Sequence, residues 1–136
     1  PRLFSDFPCE IRGELIPNLI DEIPILAVIG AMLERGLTVR EAGELRKKES
    51  DRIHALVSNM RALGIRIEEY EDGFSIPGGQ VYEGGRINSF GDHRVAMAFS
   101  IAGLASRRGI EIIEPDCVNI SFPGFYEVLG SLRSES

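Results

Sequence analysis

With 136 residues and a formal net charge of −6, the chain can bury one ordinary core, and it is too acidic to follow a nucleic-acid backbone. A composition of 43% hydrophobic and 26% charged residues is that of a soluble globular protein and excludes disordered or fibrous classes. Cys9 and Cys117 stand far apart without CxxC or Cys/His ligand spacing, so they are expected to be small buried apolar residues in a reducing compartment. The longest apolar run, residues 23–33, is shorter than the about 20 residues a bilayer span needs. No leader-like segment is read at the start, and a cytoplasmic protein without nucleic-acid or membrane partners is expected. The chain opens on Pro1 rather than Met, which reads as a trimmed terminus or a piece of a longer protein.

In chain order, residues 11–16 are expected as a short strand. Pro24 sits near the start of an apolar helix that runs to Arg35 and stops at Gly36. Residues 37–40 read as a strand. After a polar loop, the spacing of Ile53, Leu56, Val57 and Met60 predicts a helix over about 50–63, stopped by Gly64. Residues 65–70 alternate as a half-buried strand, Glu71-Asp72-Gly73 is a turn signal, and 74–76 return. Pro77-Gly78-Gly79 and Gly84-Gly85 bracket a loop. Asp92 is the expected cap of a helix through Arg107, apolar over most of its surface. Gly109 ends it, 110–113 is a strand, and 122–132 reads as a last helix.

The plan recurs. An offset of 73 residues lays Gly36 on Gly109, Leu37 on Ile110 and Val39 on Ile112, and lays 48–52 on 121–125. The chain is therefore expected to be an α/β (α+β) domain of two units, about 10–82 and 83–136, sharing a core and leaving one side open.

Two knots of charge break an electrostatic rule. Lys48-Glu49-Ser50-Asp51-Arg52 and Gly91-Asp92-His93-Arg94 each put an arginine in a first helical turn, where the macrodipole disfavours a cation. A solvated charged face would be the bland reading. Two cations beside the amides of a helix start instead suit a phosphate or carboxylate, and a neighbouring carboxylate can move protons. Asp21-Glu22 lie at the mouth of the first long helix, where acids also simply satisfy the dipole. Asp21, Ser50 and Asp92 thus mark three equivalent helix starts, expected to face one side. His54 has no such cluster and reads as a surface or half-buried residue. No metal-ligand spacing, glycine-rich phosphate loop or nucleophile elbow is present in the sequence.

These residues carry a resemblance. Leu45-Arg46-Lys47-Lys48-Glu49-Ser50-Asp51-Arg52 resembles the L-R-x-K-E-[ST]-D-R signature of 5-enolpyruvylshikimate-3-phosphate synthases. Gly91-Asp92-His93-Arg94-Val95-Ala96-Met97 is similar to that family's D-H-R-x-A-M segment. Ile16-Pro17 with Ile20-Asp21-Glu22-Ile23-Pro24 resembles the stretch bearing its catalytic aspartate, and Ser121-Phe122-Pro123 resembles its C-terminal S/T-F-P. Members are much longer than this chain. They fold as two inverse α/β barrel-type domains, each of three βαβαββ units, with the active site between domains. The resemblance implies that this chain holds two of the three units of one domain and lacks the N-terminal part of the enzyme.

It further implies transfer of the enolpyruvyl group of phosphoenolpyruvate to the 5-hydroxyl of shikimate 3-phosphate, through a tetrahedral intermediate and with no cofactor or metal. Asp21 would accept the hydroxyl proton and Glu49 would handle the proton at the methylene carbon. Lys48 would touch the hydroxyl and the intermediate. Arg52 and Arg94 would clamp phosphoenolpyruvate, with His93 in support. Two positions depart from the family pattern: Ile120 stands where many members carry a lysine, and Glu44 where some carry an asparagine. The rivals are an enolpyruvyl transferase acting on UDP-N-acetylglucosamine and a non-catalytic module that binds small anions. Alone, the fragment is expected to be inactive.

Overall fold

The computed structural model describes residues 9–114 and 119–124. Its first sheet begins with β1 (Glu10–Ile11) and continues through β2 (Leu37–Val39), β3 (Glu68–Tyr70) and β4 (Gly73–Ile76), in the spatial order β1-β2-β4-β3. A second sheet has the order β5-β6-β7, from β5 (Gly85–Asn88), β6 (Ile110–Ile113) and β7 (Asn119–Phe122). β1 and β2 are parallel, as are β5 and β6, so each pair needs a crossover. The first crossover holds α1 (Leu15–Leu19), a 3₁₀ turn (Ile20–Glu22) and α2 (Ile23–Met32); the second is α4 (His93–Ala105). Between β2 and β3 lie a 3₁₀ turn (Gly43–Lys47) and α3 (Arg52–Ala62).

α2 packs on α4, and their facing residues are sealed: Ala27, Val28 and Ala31 on one, Val95, Ala98, Phe99 and Ala102 on the other. Small residues at these positions let the two helices approach closely. The helical run Leu15–Met32 is long and apolar enough to cross a membrane by composition, at mean hydropathy 1.6. Here it is a core element, interrupted by the turn that carries Asp21 and Glu22.

Several expected elements are displaced. Gly13, at φ +60, turns the chain after Ile11, so the expected strand over 11–16 becomes two strand residues followed by α1. The helix expected to reach Arg35 ends at Met32. Of the strand expected over 65–70, only Glu68–Tyr70 pairs. The Gln80 side chain takes the place of a neighbouring strand beside Arg66, accepting from its N–H at 2.8 Å and donating to its carbonyl at 3.0 Å. β5 starts at the last glycine of the expected loop and covers residues 86–88, for which no element is expected, because Gly-Arg-Ile-Asn buries only Ile87 and gives no alternation signal. Phe122 belongs to β7 rather than to a helix start, and Pro123 and Gly124 are not helical; residues 125–132 of the expected helix fall outside the described residues.

The repeat offset also changes along the chain. β2 pairs antiparallel with β4 through Leu37↔Ile76, and β6 with β7 through Ile110↔Phe122. Ser121-Phe122-Pro123-Gly124 therefore corresponds to Ser75-Ile76-Pro77-Gly78, not to 48–52. The two turn glycines agree: a Cβ on Gly36 (φ +68) would lie 2.2 Å from the Ile76 carbonyl oxygen, and one on Gly109 (φ +89) 2.5 Å from that of Phe122. Sequence spacing missed this because only the first sheet carries α3 and β3 between the paired strands.

Candidate functional site

Three chain segments converge on one open cavity of about 350 Å³, lined by Asp21, Lys48, Glu49, Arg52, Asp92, His93 and Arg94. The six residues to which the resemblance gives a role, Asp21, Lys48, Glu49, Arg52, His93 and Arg94, are all in this set, and the expected cap Asp92 joins them. Asp21 comes from the 3₁₀ turn ahead of α2, Lys48 and Glu49 from the link between the second 3₁₀ turn and α3, and Arg52 from the first position of α3. Asp92 to Arg94 come from the start of α4. The knot at 48–52 is thus mostly pre-helical, and only Arg52 is within the helix.

Arg52 is the hub. Only 3% of its side chain is exposed, yet all its donor nitrogens are engaged. Nε donates to Asp92 Oδ2 at 2.9 Å and Nη2 to Asp92 Oδ1 at 3.3 Å. Nη1 reaches Asp21 Oδ1 at 3.2 Å, and Nη2 also binds Glu49 Oε2. Burial alone would lower the Arg52 pKa, but the hydrogen bonds and charges of these carboxylates outweigh it and raise it. Asp92 is sealed as well and accepts from Ser50 Oγ at 2.8 Å. Burial pushes its pKa up, and the bonds from Arg52, Ser50 and the Arg94 amide more than reverse that, holding the carboxyl below its usual range.

The helix starts are capped from within. Asp51 accepts from the His54 amide at 3.0 Å; Asp92 accepts from those of Arg94 at 3.0 Å and Val95 at 3.4 Å. The expectation that free amides would receive the anion is corrected accordingly: side chains, not these N–H groups, face the cavity. Arg52's place in a first turn is offset by three protein carboxylates. Arg94 and Lys48 differ, since among the described residues neither enters an ion pair; Arg94 and His93 are exposed and Lys48 is half-buried.

The other residues noted from sequence lie elsewhere. Ile120 sits in β7, Glu44 is exposed on the second 3₁₀ turn, and neither lines the cavity. His54 is exposed, its ring 5.9 Å from that of Phe90. Cys9 is half-buried with Arg35 Nη2 2.9 Å from its sulfur, and Cys117 is outside the described residues. Among the described residues no group of three or more His, Cys, Asp or Glu is placed to hold a metal ion. The sequence marks Asp92 as a cap; its bond to Arg52, forty residues earlier, has no local signal.

An α/β domain whose helix starts gather alternating acids and cations around an open cavity is a class of protein suited to small anionic ligands. The chain belongs to the EPSP synthase (3-phosphoshikimate 1-carboxyvinyltransferase) family, whose family model matches residues 2–129. It is 53% identical over 119 residues to the 3-phosphoshikimate 1-carboxyvinyltransferase of Thermotoga sp. (strain RQ2), covering 88% of this chain and 28% of that protein. It is 50% identical over 120 residues to the enzyme of the same name from Aquifex aeolicus (strain VF5), again with 88% and 28% covered. Among solved structures, EPSP synthase from Acinetobacter baumannii matches with TM-score 0.64 at 36% identity, over 71% of this chain and 23% of that one. The chain therefore spans about a quarter of the length of these relatives.

Proposed function

We propose that this chain forms one wall of the active site of a 3-phosphoshikimate 1-carboxyvinyltransferase and lacks the opposite wall. The convergence of Asp21, Lys48, Glu49, Arg52, His93 and Arg94 on a single cavity carries this reading. In the complete enzyme Asp21 accepts the proton of the shikimate 3-phosphate 5-hydroxyl as its oxygen attacks C2 of phosphoenolpyruvate. Glu49 protonates the C3 methylene, giving a tetrahedral adduct. Glu49 then takes a proton back from the new methyl group as the carbon–oxygen bond to phosphate breaks and the enol ether forms, and the hydroxyl proton held by Asp21 leaves with the phosphate, so both carboxyl groups return to their starting states. Lys48, with no ion-pair partner among the described residues, balances charge at the attacking oxygen and the intermediate. Arg94 receives a carboxylate or phosphate directly, with His93 beside it. Arg52 touches the ligand by exchange, because its donors already hold Asp21, Glu49 and Asp92.

Charge supports the view that the site is half-built. Three cations (Lys48, Arg52, Arg94) face three carboxylates (Asp21, Glu49, Asp92), so the wall is formally neutral with His93 uncharged. A multiply anionic pair of substrates needs further cations, and these are assigned to the missing part of the enzyme. The setting is cytoplasmic and the pathway that of aromatic amino acid biosynthesis. The test uses the complete reading frame. Phosphate release is expected with phosphoenolpyruvate and shikimate 3-phosphate together, and the 136-residue chain alone is expected to give none. Release with UDP-N-acetylglucosamine as acceptor would move the assignment to that sister activity. Turnover by the isolated chain would refute the half-site reading. An NMR titration of that chain with phosphoenolpyruvate is expected to shift Arg52 and Arg94 weakly; no shift at millimolar ligand would remove independent binding.

A further inference from the structure

The loop carrying Lys48 and Glu49 has almost no anchor of its own. Among the described residues Lys48 makes no hydrogen bond, and the only one Glu49 makes is to Arg52. Its placement is therefore decided by Ser50, which donates to the sealed Asp92 at 2.8 Å, and by its two ends, both of which are arginine forks. Arg52 is one. The other is Arg46, which lies outside the cavity and is 27% exposed. Arg46 Nε donates to the Glu71 carbonyl at 2.9 Å, and Nη2 donates to the Tyr70 carbonyl at 2.8 Å and to Glu69 Oε2 at 3.0 Å. Nη1 binds both carboxylate oxygens of Asp51, at 2.9 and 3.2 Å. Asp51 is in turn the cap of α3. One planar group thus bolts the chain just before Lys48 to the β3–β4 hairpin, and bolts it again to the residue just after Ser50.

On this geometry, and resting on the function proposed above, we infer that Arg46 is a positioning residue that sets where Lys48 and Glu49 stand. It acts through Asp51 and the hairpin, and it touches no substrate. The fork matters more than the charge. A lysine ammonium cannot span Asp51, the Glu69 carboxylate and two carbonyls that lie in different directions. Displacing catalytic groups by about 1 Å costs on the order of 10²-fold in rate.

A purely structural role would give stability loss without a specific kinetic effect, and Arg40 supplies the comparison. It holds the same hairpin from the other side, with Nε 2.9 Å from Asp72 Oδ1 and its guanidinium 4.3 Å from the Tyr70 ring centre, but it does not touch Asp51. In the full-length enzyme, Arg46→Lys and Arg46→Met are expected to lower kcat on the order of 10²-fold with KM for phosphoenolpyruvate little changed. Arg40→Met should lower the melting temperature and leave kcat within about twofold. A second readout needs no turnover: hydrogen exchange at the His54 and Ala55 amides, which donate to the Asp51 carboxylate at 3.0 Å and to its carbonyl at 2.9 Å, should speed up about tenfold or more in Arg46→Lys, and far less in Arg40→Met. Wild-type enzyme inactive on these substrates would sink the proposed function, and exchange would still judge Arg46. Unchanged exchange at His54 and Ala55 in Arg46→Lys, or equal kinetic losses in Arg46→Lys and Arg40→Met, would overturn the inference.

Discussion

Asp92→Asn isolates the ion pair on which the cavity wall rests, because Asn caps a helix about as well as Asp and keeps the shape of the side chain. The wild-type carboxylate accepts from Arg52 Nε at 2.9 Å, Arg52 Nη2 at 3.3 Å and Ser50 Oγ at 2.8 Å. The two side chains are 3% and 0% exposed, so water cannot replace these bonds. Removing one partner of a buried pair costs about 3–5 kcal/mol, chiefly by leaving the other charge uncompensated. Arg52 retains Asp21 and Glu49, but those carboxylates are 49% and 66% exposed, and such partners return at most about 1 kcal/mol. The expected loss is therefore about 2–4 kcal/mol, or roughly 10 °C or more in melting temperature for a domain of this size. Urea unfolding of wild type, Asp92→Asn, Arg52→Met and the double variant closes a double-mutant cycle. The double variant should be more stable than Asp92→Asn alone, since it no longer buries a lone cation. A coupling energy below about 0.5 kcal/mol would refute a wall anchored on this pair.

Acid should weaken the fold through the same group. Asp92 and Asp72 both titrate below their ordinary range in the folded chain, Asp72 because the Glu41 amide and Arg40 stabilise its charged form. A carboxylate depressed by folding contributes stability above its unfolded pKa, about 3.9, and loses it as pH falls through the folded value. Unfolding free energy should thus decline below about pH 4, and the Asp92→Asn curve should be flatter there; parallel curves would remove Asp92 from the titration. Two glycines separate backbone strain from collision. Gly64 (φ +81) faces open space, so Gly64→Ala should cost about 1–2 kcal/mol; Gly36→Ala adds a Cβ 2.2 Å from the Ile76 carbonyl oxygen and should cost clearly more. Equal losses in thermal melts would contradict the close packing of that turn.

The cavity's membership was legible because its chemistry is written in local runs: arginines in first helical turns, a capping aspartate, acids ahead of a proline. Helices α2, α3 and α4 were legible from apolar spacing for the same reason. What sequence could not carry was pairing at a distance. β5 has one buried residue, so nothing in Gly-Arg-Ile-Asn marks it as a strand until β6 lies beside it. The repeat was found at its glycines and then slid out of register, because an offset that fits Gly36 and Gly109 cannot show that the second unit pairs its strands without an α3 between them. Asp92 was similarly half-read: capping is local, whereas its bond to Arg52 crosses 40 residues.

The two arginines that broke the same electrostatic rule turn out to have different explanations, and the difference orients the site. Arg52, at the start of α3, is neutralised by three carboxylates drawn from three segments, so its misplaced charge is resolved within the protein. Arg94, at the start of α4, is exposed and has no such partners among the described residues, and half-buried Lys48 is in the same position. An incoming anion gains most where positive charge is uncompensated, so on the proposed function first contact would belong to Arg94 and Lys48. Arg52 engages only as ligand oxygens take over bonds now made to Asp21 and Glu49. Those are the two carboxylates assigned to move protons, and an exchange at Arg52 would free them when the substrate arrives. On the proposed function, one buried guanidinium, fixed from behind by Asp92, would couple anion binding to the availability of the two proton-transfer groups.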